Sequence, residues 1–325
     1  MTLKAKLAAV LLSALAMVAG GGAAAQTYPD HPVKVLVGYP PGGPVDIIAR
    51  VVCDKLAEVW GTPVVVENIA GAGGNIAGDR VAKSAPDGYT LIMATNALLA
   101  INPSLYAKMT FDPNKDLVPI SEAVYSPNIL VVPNDLPVKS VKELVDYARA
   151  HPGLTFASAG VGTTQHLAGE LFKAMAKIDI RHVPYRGASP VITDLLGGRL
   201  GMYFGAIAPL IPLVKAGKVR ALAVTSPKRF GAVPELPTMI EAGYPGFESV
   251  LAMGLMAPAG TPPATIEAIH QGSVKALSGA DVRAKLAAIG MEIVNSSPNE
   301  FAAAIAAERP QWARIIKDAG IKPAN

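Results

Sequence analysis

Apolar residues along the chain alternate between two rhythms. Val33-Lys34-Val35-Leu36-Val37 is a short β-branched run suited to a buried strand. Residues 46–60 follow, where Ile47, Ile48, Val51, Val52, Leu56 and Val59 recur at helical spacing. The pattern then predicts a strand over 63–66, a helix over 75–84 and a strand over 89–93. This βαβαβ order implies a largely parallel sheet with helices on its faces. The middle of the chain repeats it, with strands expected over 129–132, 155–158, 182–185, 202–204 and 221–224. Helices are expected over 141–150, 165–176 and 190–197.

Two segments resemble each other. Leu130-Val131-Val132-Pro133 and Leu255-Met256-Ala257-Pro258 are each followed by a turn and a helical stretch, as expected of strands that lead into a domain. The chain is therefore expected to form two α/β domains, crossing between them near Tyr125 and Val250. Domain one comprises residues 26–125 plus 250–325, and domain two residues 126–249. Helices over 266–277 and 299–319 complete domain one, and Pro310 is expected to break the last of them in two. Neither solenoid repeats nor low-complexity tracts interrupt the pattern.

The first 25 residues read differently. Lys4 and Lys6 precede an apolar run over 7–19, and Ala23-Ala24-Ala25-Gln26 fits a cleavage site, so a signal peptide is expected over 1–25 with Gln26 as the new N-terminus. The run is shorter than the roughly 20 apolar residues that span a bilayer. Without those two lysines the formal net charge falls from +4 to +2, too balanced for a nucleic-acid partner. Cys53, the single cysteine, lies in an apolar helical stretch and is read as a buried structural thiol.

Candidate chemistry gathers in four loops just after strands, where ligands of open α/β sheets collect. The first is Pro40-Pro41-Gly42-Gly43-Pro44-Val45-Asp46. It offers backbone and a helix N-terminus to an anion, although Pro44 supplies no N–H and Asp46 competes with an anionic ligand. The second, Ala70-Gly71-Ala72-Gly73-Gly74-Asn75, lacks both the P-loop lysine and the last glycine of a dinucleotide fingerprint. The third runs over residues 158–166, with Ser158, Thr163, Thr164 and His166 between a strand and a helix. It is not a G-x-S-x-G elbow. His166 is open to two readings, a ligand contact or a cap at the helix start. The fourth is Tyr185-Arg186-Gly187-Ala188-Ser189, and Arg186 is the only basic side chain in the four loops. His31, His151, His182 and His270 show no metal-ligand spacing. No catalytic constellation, metal or cofactor is expected.

In this order the loops resemble the Bug family, the extracytoplasmic receptors of tripartite tricarboxylate transporters. The resemblance is carried by Tyr39-Pro40-Pro41-Gly42-Gly43 with Asp46, Gly71-Ala72-Gly73-Gly74-Asn75 and Asp87-Gly88-Tyr89-Thr90-Leu91. It continues through residues 160–166, Pro184-Tyr185-Arg186-Gly187, Asp194-Leu195-Leu196-Gly197-Gly198 and Pro234-Glu235-Leu236-Pro237-Thr238. It implies a two-domain type II periplasmic-binding-protein fold, a Venus flytrap. It also implies an anionic ligand held mainly by main-chain N–H groups and ordered waters. By motif, the implied contacts are Gly42, Gly43, Gly74, Asn75, Thr95, Asn96, Ser158, Thr163, Thr164, His166, Tyr185, Phe204, Gly205 and Ala206. Two departures stand out. Pro44 and Val45 replace a glycine and a hydroxyl residue common in relatives, and Gly201 stands where an Asp is usual.

The resulting expectation is a periplasmic, monomeric solute-binding protein without catalysis. It captures a small carboxylate (a di- or tricarboxylate, an aromatic carboxylate or an acidic amino acid) and delivers it to the membrane permease subunits of a tripartite transporter. Alternatives are a sensor that presents its closed form to a membrane kinase, and a periplasmic α/β hydrolase or transferase.

Overall fold

The computed structural model describes residues 28–185 and 187–321. The expected signal peptide, Gln26 and Arg186 lie outside them.

The N-terminal βαβαβ unit forms as the periodicity predicts. Strand β1 (Val33–Val37) leads to helix α1 (Pro44–Trp60), β2 (Val64–Asn68), α2 (Asn75–Ala82) and β3 (Thr90–Thr95). Parallel β2 and β3 flank β1. Helix α1 buries Ile48, Val52, Cys53 and Leu56, residues spaced on one face. Burial among apolar neighbours pushes the Cys53 thiol up to about 12, which leaves it un-ionised at neutral pH. A π-helical turn (Ala97–Ile101) and the one-turn α3 (Asn102–Leu105) follow.

Strand β4 (Leu117–Val132) is 16 residues long, and only its last four were legible as a strand. Pro119 and Pro127 cannot donate to a ladder, and Ser121 and Glu122 break the apolar run. The strand tolerates this through register irregularities between Pro119 and Ser121 and between Glu122 and Val124. Over residues 117–127 it pairs antiparallel with β9 (Val250–Pro258). Over residues 128–132 it pairs instead with β7 (Met202–Ala206) and β8 (Arg220–Val224). The intervening chain supplies α4 (Val141–Ala150), β5 (Leu154–Ser158), α5 (Thr164–Ala176), β6 (Ile180–Pro184), α6 (Ala188–Leu196) and α7 (Ile207–Lys215). Strand β5 is parallel to both β6 and β7. The strand order is β2-β1-β3-β9-β4-β7-β5-β6, with β8 and the short β10 (Glu292–Ile293) also on β4.

The chain ends in α8 (Pro263–Leu277), α9 (Ala280–Ala288) and α10 (Pro298–Asp318). Helix α9 escaped the periodicity because only Val282 and Leu286 of its residues are buried. Pro310 does not divide the last helix, contrary to the expectation: α10 runs through it for 21 residues. An interior proline costs about 3 kcal/mol. Here both flanks are anchored. A Ser297–Glu300 capping box starts the helix, and Phe301 and Ile305 pack with Leu36, Ile92 and Met256. Beyond the proline, Trp312, Ile315 and Ile316 pack with Leu130, Phe156, Phe172 and Phe204. Helix α10 thus contributes to two cores, one beneath β1–β3 and one beneath β5–β7. No helix among the described residues is long and apolar enough to cross a membrane.

Candidate functional site

Two sets of parallel strands end in loops that start helices. Strands β1 and β2 deliver the chain to α1 and α2, and β3 to the π-helical turn. Strands β5, β6 and β7 deliver it to α5, α6 and α7. Each helix start carries N–H groups without an intrahelical partner and the positive end of the helix dipole. Gly43, Gly74, Gly187 and Ala206 cap α1, α2, α6 and α7 without a side-chain hydrogen bond. The two sets approach where Leu105 packs over Gly162.

In the first loop, part of this potential is already used. The Gly42 N–H donates to Asp46 Oδ2 at 2.9 Å, and Gly43 N–H reaches the Pro40 carbonyl at 3.4 Å. Asp46 is buried and also accepts from Arg50 and Asn68. The Arg50 hydrogen bond, aided by those from Gly42 and Asn68, holds its carboxyl down at about 2 against the opposing effect of burial. The first loop therefore carries its own anion at neutral pH, and that anion takes up the Gly42 N–H.

The second loop is built on close backbone approach. A Cβ on Gly38 would lie 2.5 Å from Gly74 Cα, so β1 and the second loop meet main chain to main chain. The Gly73 carbonyl accepts from Asn102 Nδ2 at 3.0 Å, and the same amide nitrogen donates to Asn75 Oδ1 at 2.7 Å. Thr95 Oγ1 meets the Tyr39 hydroxyl at 3.1 Å and accepts from Leu98 N–H. Sequence reasoning missed Asn102, which ties the second loop to α3.

Asn96 is fully engaged by protein. Its amide nitrogen donates to the Val250 carbonyl and Glu308 Oε2, each at 3.0 Å, and its oxygen accepts from Ala252 N–H. It links the end of β3, the start of β9 and α10. Glu308 belongs to an acidic group with Glu122 of β4 and Glu248. Burial, with added repulsion from Glu308 and Glu248, pushes the Glu122 carboxyl up to about 7. Its folded value lies above its unfolded one, so its stabilising contribution is complete below about pH 4.5 and lost as pH rises through 7. Glu122→Gln removes this loss. Its melting temperature is expected to gain on that of the wild type between pH 5 and 8, by the equivalent of about 1–3 kcal/mol. Parallel melting curves over that pH range would count against the account.

The third and fourth loops are hydrogen-bonded together. Tyr185 N–H donates to the Ser158 carbonyl and Gly187 N–H to the Ala159 carbonyl, both at 3.0 Å. The Tyr185 hydroxyl donates to Asp194 Oδ2 at 2.6 Å. Thr163 caps α5, accepting from His166 N–H while donating to the Gly160 carbonyl. Thr164 is half-buried at the first helical position, and among the described residues its hydroxyl has no hydrogen-bond partner. Phe204 turns its ring into the core against Phe172 and Phe247, so it offers a site main chain only, as do Gly205 and Ala206 at the end of β7.

Among the described residues, Ser158 is the one with a hydrolase-like partner, since its Oγ lies 2.7 Å from His182 Nε2. The arrangement is not that of a nucleophile and base. Ser158 Oγ donates to the Gly160 carbonyl and accepts from Gly160 N–H. The Gly160 carbonyl at 2.9 Å thus takes the single hydroxyl proton that a nucleophile would pass to its base. Among the described residues no cluster of three or more His, Cys, Asp or Glu could hold a metal ion. A groove of about 800 Å³ lies away from these loops, between α5 and α10.

Residues 48–321 match the model of the tripartite tricarboxylate transporter family receptor. The chain is 37% identical over 300 residues to protein BugT of Bordetella pertussis, covering 92% of each. Among solved structures it is similar to Rpa4515 of R. palustris with adipate (37% identity, TM-score 0.75, covering 91% of this chain and 100% of that one). It is also similar to MatC of Rhodopseudomonas palustris with bound malate (31% identity, TM-score 0.71, covering 89% and 100%). The fold is that of periplasmic binding proteins. The chain belongs to the tripartite tricarboxylate transporter receptor family.

Proposed function

We propose that this protein is a periplasmic receptor that binds a small carboxylate between its two sets of strand ends and delivers it, as a monomer, to the membrane subunits of a tripartite transporter. The observation that carries the reading is the gathering of helix starts at those strand ends, four of them without a side-chain cap. A carboxylate accepts from such N–H groups without needing a fixed cation. Among the described residues, the Thr164 hydroxyl and the first-turn N–H groups of Thr164 and Gln165 in the third loop have no protein partner. The adipate and malate held by the two similar structures support a ligand of this class.

Two lobes fit this role, residues 26–125 with 250–325 and residues 126–249. The exchange of β4's partners at residues 127 and 128 supports the first crossing, and the start of β9 at Val250 the second. Binding is tested by melting the protein against a panel of carboxylates that includes adipate and malate. A ligand at 100 times its Kd stabilises by about 2.7 kcal/mol. Small-angle scattering with the best binder is expected to show a smaller radius of gyration on saturation, through rigid lobe closure. An unchanged radius with binding confirmed by calorimetry would refute closure, and no stabilisation by any carboxylate would refute the ligand class.

A further inference from the structure

The geometry points to His166 and His182 as positioning residues: a stacked pair of neutral imidazoles that sets the main chain of the third loop for the ligand. The two come from different elements, α5 and β6, and their rings stack at 3.9 Å with planes 21° apart. Phe156 extends the stack, 4.9 Å from His182. Each imidazole holds one glycine of the loop. His166 Nδ1 accepts from Gly162 N–H at 3.1 Å. His182 Nε2 lies 2.7 Å from Ser158 Oγ, which holds both the N–H and the carbonyl of Gly160. The same carbonyl accepts from Thr163 Oγ1 at 2.7 Å, and Thr163 caps α5. A continuous set of hydrogen bonds therefore runs from His182 through Ser158 and Gly160 to the start of α5.

The tautomers follow from these partners. His166 accepts at Nδ1, so its proton sits on Nε2, 3.9 Å from Glu170 Oε1. His182 also carries its proton on Nε2. Protonating His166 would turn the acceptor of Gly162 N–H into a donor, and charging both rings would set two cations face to face. Burial pushes both residues down to about 4, and for His166 repulsion from His182 adds to it. Among the described residues the charged group set against the pair is Glu170, raised by burial and opposed in this by Lys173. At neutral pH both rings are uncharged and the loop is held in one form.

The inference rests on the carboxylate reading only for its effect on affinity, so the test has two arms. In the first, without ligand, imidazole nitrogen shifts at pH 6 are expected to show neutral Nε2–H tautomers for both residues. In that arm, His182→Phe and His166→Phe are expected to speed amide exchange of Gly160 and Gly162 respectively by at least tenfold. In the second, calorimetry with adipate, or with malate if it binds more tightly, is expected to show Kd raised at least tenfold in both phenylalanine variants. His166→Asn restores an acceptor near the Nδ1 position, and His182→Gln a donor near the Nε2 position. Both are expected to return Kd to within threefold of wild type. Phenylalanine variants that bind like wild type, slow exchange in both, or a protonated ring at pH 6 would each overturn the inference. If the first arm succeeds while no carboxylate binds to wild type, the positioning role stands and the carboxylate reading falls.

Discussion

Truncating Trp312 to alanine is expected to cost about 3–5 kcal/mol of stability, the range for loss of a buried tryptophan. For a chain of this size that corresponds to a fall in melting temperature of about 5–8 °C. Trp312 is 1% exposed and packs in the core beneath β5–β7, yet it sits on the helix whose first half packs beneath β1–β3. Its indole N–H also donates to Glu308 Oε2 at 3.0 Å, and Glu308 in turn holds Asn96. Alanine therefore leaves a cavity and removes a donor from a carboxylate that burial already disfavours. Trp312→Phe weights the second effect, since it keeps most of the apolar surface while losing the hydrogen bond. It is expected to cost about 1–3 kcal/mol. Denaturant unfolding of the three proteins reads both values. An alanine variant within 1 kcal/mol of wild type would show that α10 lies on the second core without stabilising it.

The helix that carries Trp312 also marks where sequence reading loses resolution. Local periodicity placed α1, α4, α5 and most strands to within a few residues, because each buries one regular face of its own. It stopped short on β4, where prolines and polar residues sit inside a strand whose long-range partners make it a strand. It misjudged α10, where tertiary packing on both sides of Pro310 outweighs the missing hydrogen bond. The same limit applies to the site. The loops were legible as Gly- and hydroxyl-rich strand ends, and Asp46 as a competing anion. Their internal wiring was not: His166 and His182 are 16 positions apart, and only the pairing of β5 with β6 brings His182 to Ser158. Asn96 was assigned to the ligand by motif, whereas its side chain is taken up by Val250, Ala252 and Glu308.

Gly74→Val and Thr164→Val are expected to weaken carboxylate binding more than Arg186→Gln does. Gly74 caps α2 with φ of +94°, a conformation that disfavours any L side chain and a β-branched one most. A Cβ there meets only ordinary contacts, with the Tyr39 ring at 3.8 Å and Leu98 at 3.9 Å, so the obstacle is the backbone angle and not a collision. Relief requires the second loop to rotate, which moves the start of α2 and breaks the close approach to Gly38. The expected result is loss of measurable binding in a protein whose melting temperature falls by only a few degrees. Thr164→Val acts without moving the backbone. It deletes one hydroxyl donor to a charged ligand, worth about 1.5–3 kcal/mol, or roughly 10- to 150-fold in Kd. Arg186→Gln removes the one cation of the four loops, and affinity is expected to stay within about threefold of wild type if neutral donors hold the anion. Calorimetry on folded variants decides between the two ways of holding a carboxylate. Binding abolished by Arg186→Gln but retained by the other two would mean that an ion pair, and not helix-terminal N–H groups and hydroxyls, carries the affinity.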